Sequence, residues 1–281
     1  MRACERSELG DGVRRPRCDA NDPVWPRLVR EANDAAQREP ALAGFLETAV
    51  SSHCTLEQAL GRYLAGKLAS PHLTADVVEE IFREALTDSS AIGDAVRQDL
   101  CAVPERDPAA RTLLTPFLFF KGFQSLQCYR MAHWLWSQGR TTTALFLQSR
   151  ISEVFAVDIH PAARIGKGIL MDHGTGVVIG ETAVVGDGVS MLHEVTLGGT
   201  GKEAGDRHPK VESNVLIGAG AKILGNIRIG EGSKVAACSV VLSSVPPFST
   251  VAGIPARIVG RPKVSDPARV MDQTIEFDYC I

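Results

Sequence analysis

The chain has 281 residues, enough for one or two domains with a sizeable buried core. Its 30 basic and 33 acidic side chains nearly cancel, to a net charge of −3, which argues against nucleic acid or an anionic membrane surface as a partner. No apolar run approaches the roughly 18 residues that a membrane-crossing helix needs; the densest, 113–123, contains Pro116 and Lys121.

Seven cysteines occur, an odd number, and no two form a Cys-x-x-Cys pair. That pattern reads as reduced thiols in a reducing compartment rather than a disulfide frame or a zinc site. No apolar h-region follows Met1, so a cytoplasmic location is expected. The alternative is a plastid or mitochondrial transit segment in the Arg-containing first 20 residues, which Glu5, Glu8, Asp11 and Asp19 weaken.

Residues 1–21 are polar, lack periodicity and are expected to be disordered. Asp22-Pro23 is a helix-start signal, and apolar residues then recur at helical spacing from Trp25 to Ala36. Pro40 interrupts and 41–50 resumes the pattern. Thr55 caps a further helix, with Leu60, Tyr63 and Leu64 on its apolar side. Thr74 precedes another, and 92–103 is the next, ended by a turn at 104–108. One long helix is expected over 117–136 and a last one over 141–155. Residues 22–155 therefore read as an all-helical domain.

From Ile159 to Val245 the texture changes to a period of six. Ile159, Ile165 and Met171 mark one run; after a two-residue shift, Ile179, Val185, Met191 and Leu197 mark the next; Ile217, Ile223, Ile229, Val235 and Val241 mark a third. Small or β-branched residues follow four positions later, Thr175 among them, and Gly follows the marker at 166, 180, 186, 198, 218 and 230. Those glycines suit a positive φ or a tight corner. Neither a helix nor an ordinary strand keeps this period. Short parallel strands stacked into a solenoid do. A loop at 198–214, rich in Gly and charge, interrupts the repeat and reads as functional. The tail, 262–281, is loosely patterned and expected to be flexible.

Polar residues cluster at four places: 157–161, 171–176, the 198–214 loop, and Arg106-Asp107-Pro108. Asp158 and His173 are fifteen residues apart, nearly one turn of an eighteen-residue coil, so they can stand on adjacent coils. A carboxylate beside an imidazole sets its tautomer and strengthens it as a base for a hydroxyl proton. The spacing fits equally well a carboxylate capping a coil and a surface histidine. His173, His193 and His208 form a trio that zinc could use, but no Cys or carboxylate spacing supports it, and no metal is expected.

These residues resemble a known family. The hexad run resembles the left-handed parallel β-helix acyltransferases. Lys121-Gly122-Phe123, the stretches 133–140 and 157–164, Met171-Asp172-His173, 195–202 and Gly205-Asp206-Arg207-His208-Pro209-Lys210 resemble the serine acetyltransferases in particular. The likeness spans about residues 22–260. It implies an α+β chain with an N-terminal helical domain (22–155), a left-handed parallel β-helix (156–261) and a C-terminal tail. It implies transfer of acetyl from acetyl-CoA to L-serine, giving O-acetylserine and CoA, by direct attack in a ternary complex. His173 would be the general base and Asp158 its orienting partner. Asp107 and Asp172 would bind the serine ammonium, and Arg207 and His208 its carboxylate. Gly199, Thr200, Ala219 and Lys234 would contact acetyl-CoA, with no tightly bound cofactor. Ala237-Cys238 stands where the family usually has Gly. The resemblance further implies homotrimers paired through the helical domains, feedback by L-cysteine, and docking of the C-terminal Ile281 into O-acetylserine sulfhydrylase. The competing readings are another hydroxyl acceptor such as homoserine or a sugar, a γ-type carbonic anhydrase with a three-histidine zinc, and a weakly catalytic scaffold that regulates the sulfhydrylase.

Overall fold

A computed structural model of the chain describes residues 23–201 and 204–275. The 1–21 segment, Lys202 and Ile281 lie outside the described residues. The first half is helical: α1 (Val24–Arg38), a 3₁₀ turn (Pro40–Leu42), α2 (Ala43–Leu46), a π turn (Glu47–Ser51), α3 (Leu56–Leu68), α4 (Ala75–Asp88), α5 (Ser90–Arg106), α6 (Leu114–Phe119), α7 (Lys121–Ser137) and α8 (Thr141–Phe155). Thr55 caps α3, its hydroxyl oxygen accepting from the Gln58 N–H at 3.3 Å while Gln58 Oε1 accepts from the Cys54 N–H. Two boundaries differ from the sequence reading. Helix α5 continues through Pro104 to Arg106. Proline there removes one backbone donor in the final turn only, and the Arg106 guanidinium anchors the helix end to the Gly188 carbonyl (3.2 Å) and the Ser190 hydroxyl (3.1 Å). The helix expected over 117–136 is two, broken at the extended Phe120. The break lets Gly122 lie against the solenoid, where a Cβ would stand 1.9 Å from the Met171 carbonyl oxygen.

The second half is a parallel β-solenoid with three walls. The first wall is β1 (Val157–Ile159), β4 (Val177–Ile179), β7 (Thr196–Gly198), β10 (Lys222–Leu224) and β13 (Val240–Val241). The second is β2 (Arg164–Ile165), β5 (Val184–Val185), β8 (Lys210–Val211) and β11 (Arg228–Ile229). The third is β3 (Leu170–Met171), β6 (Ser190–Met191), β9 (Leu216–Ile217), β12 (Lys234–Val235) and β14 (Thr250–Gly253), closed by an antiparallel hairpin to β15 (Ala256–Gly260). The hexad markers point inward; all are buried except the half-buried Ile165. The glycines after the markers have no positive φ. They are small because the next coil stacks on them: a Cβ at Gly230 would meet the Pro247 nitrogen at 2.3 Å. Positive φ falls two residues later, at Gly168, Gly188, Gly220 and Gly232.

The two halves share one core. At the junction Asp99, fully buried, accepts from Arg130 Nη2 (2.6 Å) and Nε (2.9 Å) and from the Ile169 N–H (2.9 Å). Arg130 Nη2 also donates to the Gly166 carbonyl at 2.7 Å, so one ion pair joins α5 and α7 to the first coil. The start of the tail is docked rather than loose. A short helix α9 (Pro267–Val270) buries Ala268, whose carbonyl accepts from Ser190, and Lys234 Nζ donates to the Thr274 carbonyl.

Candidate active site

The two-residue shift in the repeat has a structural meaning. Val157 pairs with Val177, so the first coil is twenty residues long. Its extra residues lie in the corner 172–176, between β3 and β4. Thr175 is exposed, and Val177 takes the inward place. His173 rides on this enlarged corner at φ +57°, with 72% of its side chain exposed. An L-residue in that backbone region marks local constraint.

The corner stacks on the start of β1. The Gly176 N–H donates to the Ala156 carbonyl at 2.7 Å, and Gly174 packs against Val157. Asp158 follows within β1, its register partner Val178 lying just past this corner on the coil above. The Asp158 carboxylate accepts from Gln148 Nε2 at 2.7 Å. His173 meets Asp172 Oδ1 at 3.9 Å and the His193 ring edge-on at 5.8 Å between centroids. Among the described residues no hydrogen bond joins Asp158 to His173.

On the coil above, the Glu194 N–H donates to the Thr175 carbonyl at 2.7 Å and the Gly220 N–H to the His193 carbonyl at 2.9 Å, so Thr175, His193 and Ala219 stack in one column beside His173. His193 Nδ1 is buried with no hydrogen-bond partner among the described residues. Asp107 ends α5, where one carboxylate oxygen accepts from the Ala109 N–H at 2.8 Å. The Ala110 that follows packs on Leu170, two residues before Asp172, so the Asp107 turn lies on the same side of the solenoid.

Arg207 and His208 stand at the other end of β4, on the corner 180–183. His208 is buried over Gly180, where a Cβ would lie 2.1 Å from its ring. Thr182 organises the loop. Its hydroxyl oxygen accepts from the Arg207 N–H (3.0 Å) and the His208 N–H (3.1 Å), and lies 2.9 Å from His208 Nδ1. The Thr182 N–H donates to the same Nδ1 at 3.2 Å. An Nδ1 that accepts leaves the proton on Nε2. Burial pushes the His208 pKa below its usual value, and the adjacent Arg207 charge acts in the same direction. Arg207 Nη2 donates to Glu181 Oε2 at 2.7 Å; this hydrogen bond holds the Glu181 pKa down. Gly199 lies beside Arg207, and the Thr200 methyl against Gly225, at this same end. Lys234 projects from the third wall, where burial lowers its ammonium pKa.

The residues singled out in the sequence therefore fall into two groups. Asp172 and His173 stand in the corner before the first-wall strands, with His193 and Ala219 on the coils above it, Asp158 in β1, and the Asp107 turn on the Leu170 side. Arg207, His208, Gly199 and Thr200 gather at the corner that follows those strands. Glu181, Thr182, Gln148 and the role of Gly180 were not visible in the sequence, because each acts across ten or more residues. The zinc trio is divided in the same way, His208 standing apart from His173 and His193. Among the described residues no group of three or more His, Cys, Asp or Glu is placed to hold a metal ion.

A family model for the serine acetyltransferase N-terminal region matches residues 24–128, and one for the bacterial transferase hexapeptide repeat matches 208–243. The serine acetyltransferase of Escherichia coli K12 is 51% identical over 256 residues, 91% of this chain and 94% of its own length. Among solved structures, the serine acetyltransferase of Brucella abortus in complex with coenzyme A superposes with a TM-score of 0.84 at 51% identity, covering 85% of this chain and 96% of that one. A serine acetyltransferase in complex with cysteine gives 0.88 at 50% identity, covering 90% and 98%. The soybean serine acetyltransferase complexed with serine gives 0.82 at 54%, covering 84% and 98%. With half its residues identical across nearly the whole length of such relatives, and with their helical region and solenoid, this chain belongs to the serine acetyltransferase family of acyltransferases.

Proposed function

We propose that the chain transfers acetyl from acetyl-CoA to the hydroxyl of L-serine at a site completed by a second copy of itself. His173 takes the hydroxyl proton. The serine oxygen attacks the thioester carbonyl, a C–O bond forms, the C–S bond breaks, and the imidazolium returns its proton to the departing thiolate. Asp158 steadies the imidazolium. Asp172 and Asp107 supply the negative charge that a serine ammonium needs.

The observation that carries this reading is the separation of the two groups, read as half-sites. One coil side, six residues at about 3.3 Å each, puts on the order of 15–20 Å between the base and the carboxylate-binding pair Arg207 and His208. A single serine cannot bridge that span. A trimer whose first walls meet edge to edge brings the Arg207 end of one chain to the His173 end of the next. The same arrangement places Gly199 and Thr200 of one chain opposite Ala219 of the other, two short-side-chain surfaces between which an extended pantetheine arm fits. The helical domains then pair two trimers.

Serine, coenzyme A and cysteine occur in structures of relatives. We extend them to this chain as acceptor, co-substrate and inhibitor, cysteine competing through the ammonium and carboxylate it shares with serine. The terminal Ile281 is proposed to dock into O-acetylserine sulfhydrylase; removing it should abolish complex formation, and an intact complex would refute the docking. The acceptor itself is tested by thiol release from acetyl-CoA with L-serine, homoserine and galactosides. Release that depends on serine supports the reading. A preference for another acceptor overturns it.

A further inference from the structure

The Asp158 carboxylate is held from behind. Gln148 lies ten residues earlier, on α8, and the left-handed Ala156 (φ +55°) folds the chain so that α8 overhangs the outer face of β1. Leu145, Gln148, Ser149 and Ser152 occupy one helix face, at i, i+3, i+4 and i+7. With Glu153 and Asp158 they line a groove of about 460 Å³. Within it Gln148 Nε2 donates to Asp158 Oδ1 at 2.7 Å. The choice of side chain matters. A lysine or arginine here would neutralise the carboxylate and weaken its pull on an imidazolium. A carboxamide orients the oxygen and leaves the charge intact.

We infer that Gln148 is a positioning residue for the acetyl-transfer step. It fixes Asp158 through Oδ1, while Oδ2, which accepts no hydrogen bond among the described residues, is the oxygen left for the His173 ring. The inference rests on the reading of His173 and Asp158 as the base and its partner.

The test is a cycle of Gln148→Leu and Asp158→Asn, alone and together, with steady-state kinetics for both substrates. Leucine is a good helix former at this half-buried position; Gln148→Met is a second variant should the first misfold. Gln148→Leu should lower kcat about tenfold, the scale of one hydrogen bond to a charged group, with KM for acetyl-CoA unchanged. In the Asp158→Asn background the same change should matter less than about twofold, because the group it positions has lost its charge. Two results overturn the inference: wild-type kcat in Gln148→Leu, or an equal loss in both backgrounds, which would mark a merely structural contact. Wild-type kcat in Asp158→Asn alone would instead refute the underlying base assignment.

Discussion

Gly180→Ala tests the proposed role of Arg207 and His208 in holding the serine carboxylate. The backbone at 180 does not have a positive φ, so alanine is tolerated there and the fold should survive. The new Cβ, however, lies 2.1 Å from His208 Cδ2 and Nε2 and 2.8 Å from Cε1. The ring must leave its seat. It then gives up the two contacts at Nδ1, from the Thr182 hydroxyl at 2.9 Å and the Thr182 N–H at 3.2 Å, together about 2 kcal/mol. In the proposed serine site the displaced ring also loses its Nε2–H bond to the substrate carboxylate, a charge-assisted bond worth about 1.5–3 kcal/mol. The kcat/KM for serine should therefore fall by roughly 10- to 150-fold, mostly through KM, while KM for acetyl-CoA stays near wild type. Initial rates of thiol release across a serine titration measure this. An unchanged serine KM in a folded Gly180→Ala protein would refute the assignment of His208 to the serine site.

Three further outcomes follow from named contacts. His173→Ala should lower turnover by about 10²–10⁴-fold, with CoA affinity by calorimetry unchanged; equal loss of both would indicate damage to the fold. Asp99→Ala leaves Arg130 as an uncompensated buried charge at the junction and should cost about 3–5 kcal/mol in urea unfolding; a loss under about 1 kcal/mol would show that the ion pair does not hold the halves together. Because the folded His208 pKa is depressed, the unfolded chain protonates first as pH falls. The contribution of His208 to stability is thus complete above about pH 6.5 and declines below it until the lower folded pKa is reached. Wild type should lose more stability than His208→Asn between pH 7.5 and 5.5, and parallel losses would contradict that shift.

The solenoid was legible because its inward positions are strictly periodic. Every coil must bury an aliphatic or Met side chain where the last one did, and Ile159 to Val241 record it. The enlarged corner at 172–176 was visible only as a break in phase, and its consequence, an exposed His173, needed coordinates. The helical domain was legible in outline. Its boundaries at Pro104 and Phe120 were not, because both are set by contacts with the solenoid, through Arg106 on Gly188 and Gly122 on Met171. Arg207 and His208 stood out in a loop that breaks the repeat. Their supports, Glu181, Thr182 and Gly180, did not, since a corner residue looks the same in sequence whether it faces solvent or a folded-back loop. The docked segment 266–274 was missed for a similar reason: it is held by the carbonyls of Ala268 and Thr274, by burial of Ala268, by Met271 packed near Leu170 and by Arg269 paired with Glu105, contacts that span many residues and follow no period.

In the proposed trimer one site is made by two chains. Co-expression of His173→Ala and Arg207→Ala chains tests it directly. Each variant alone has every site broken. In randomly mixed trimers about one quarter of the sites pair an intact His173 with an intact Arg207, so activity should recover to roughly that fraction of wild type. Recovery no greater than the sum of the two single variants would show that each chain carries its own complete site.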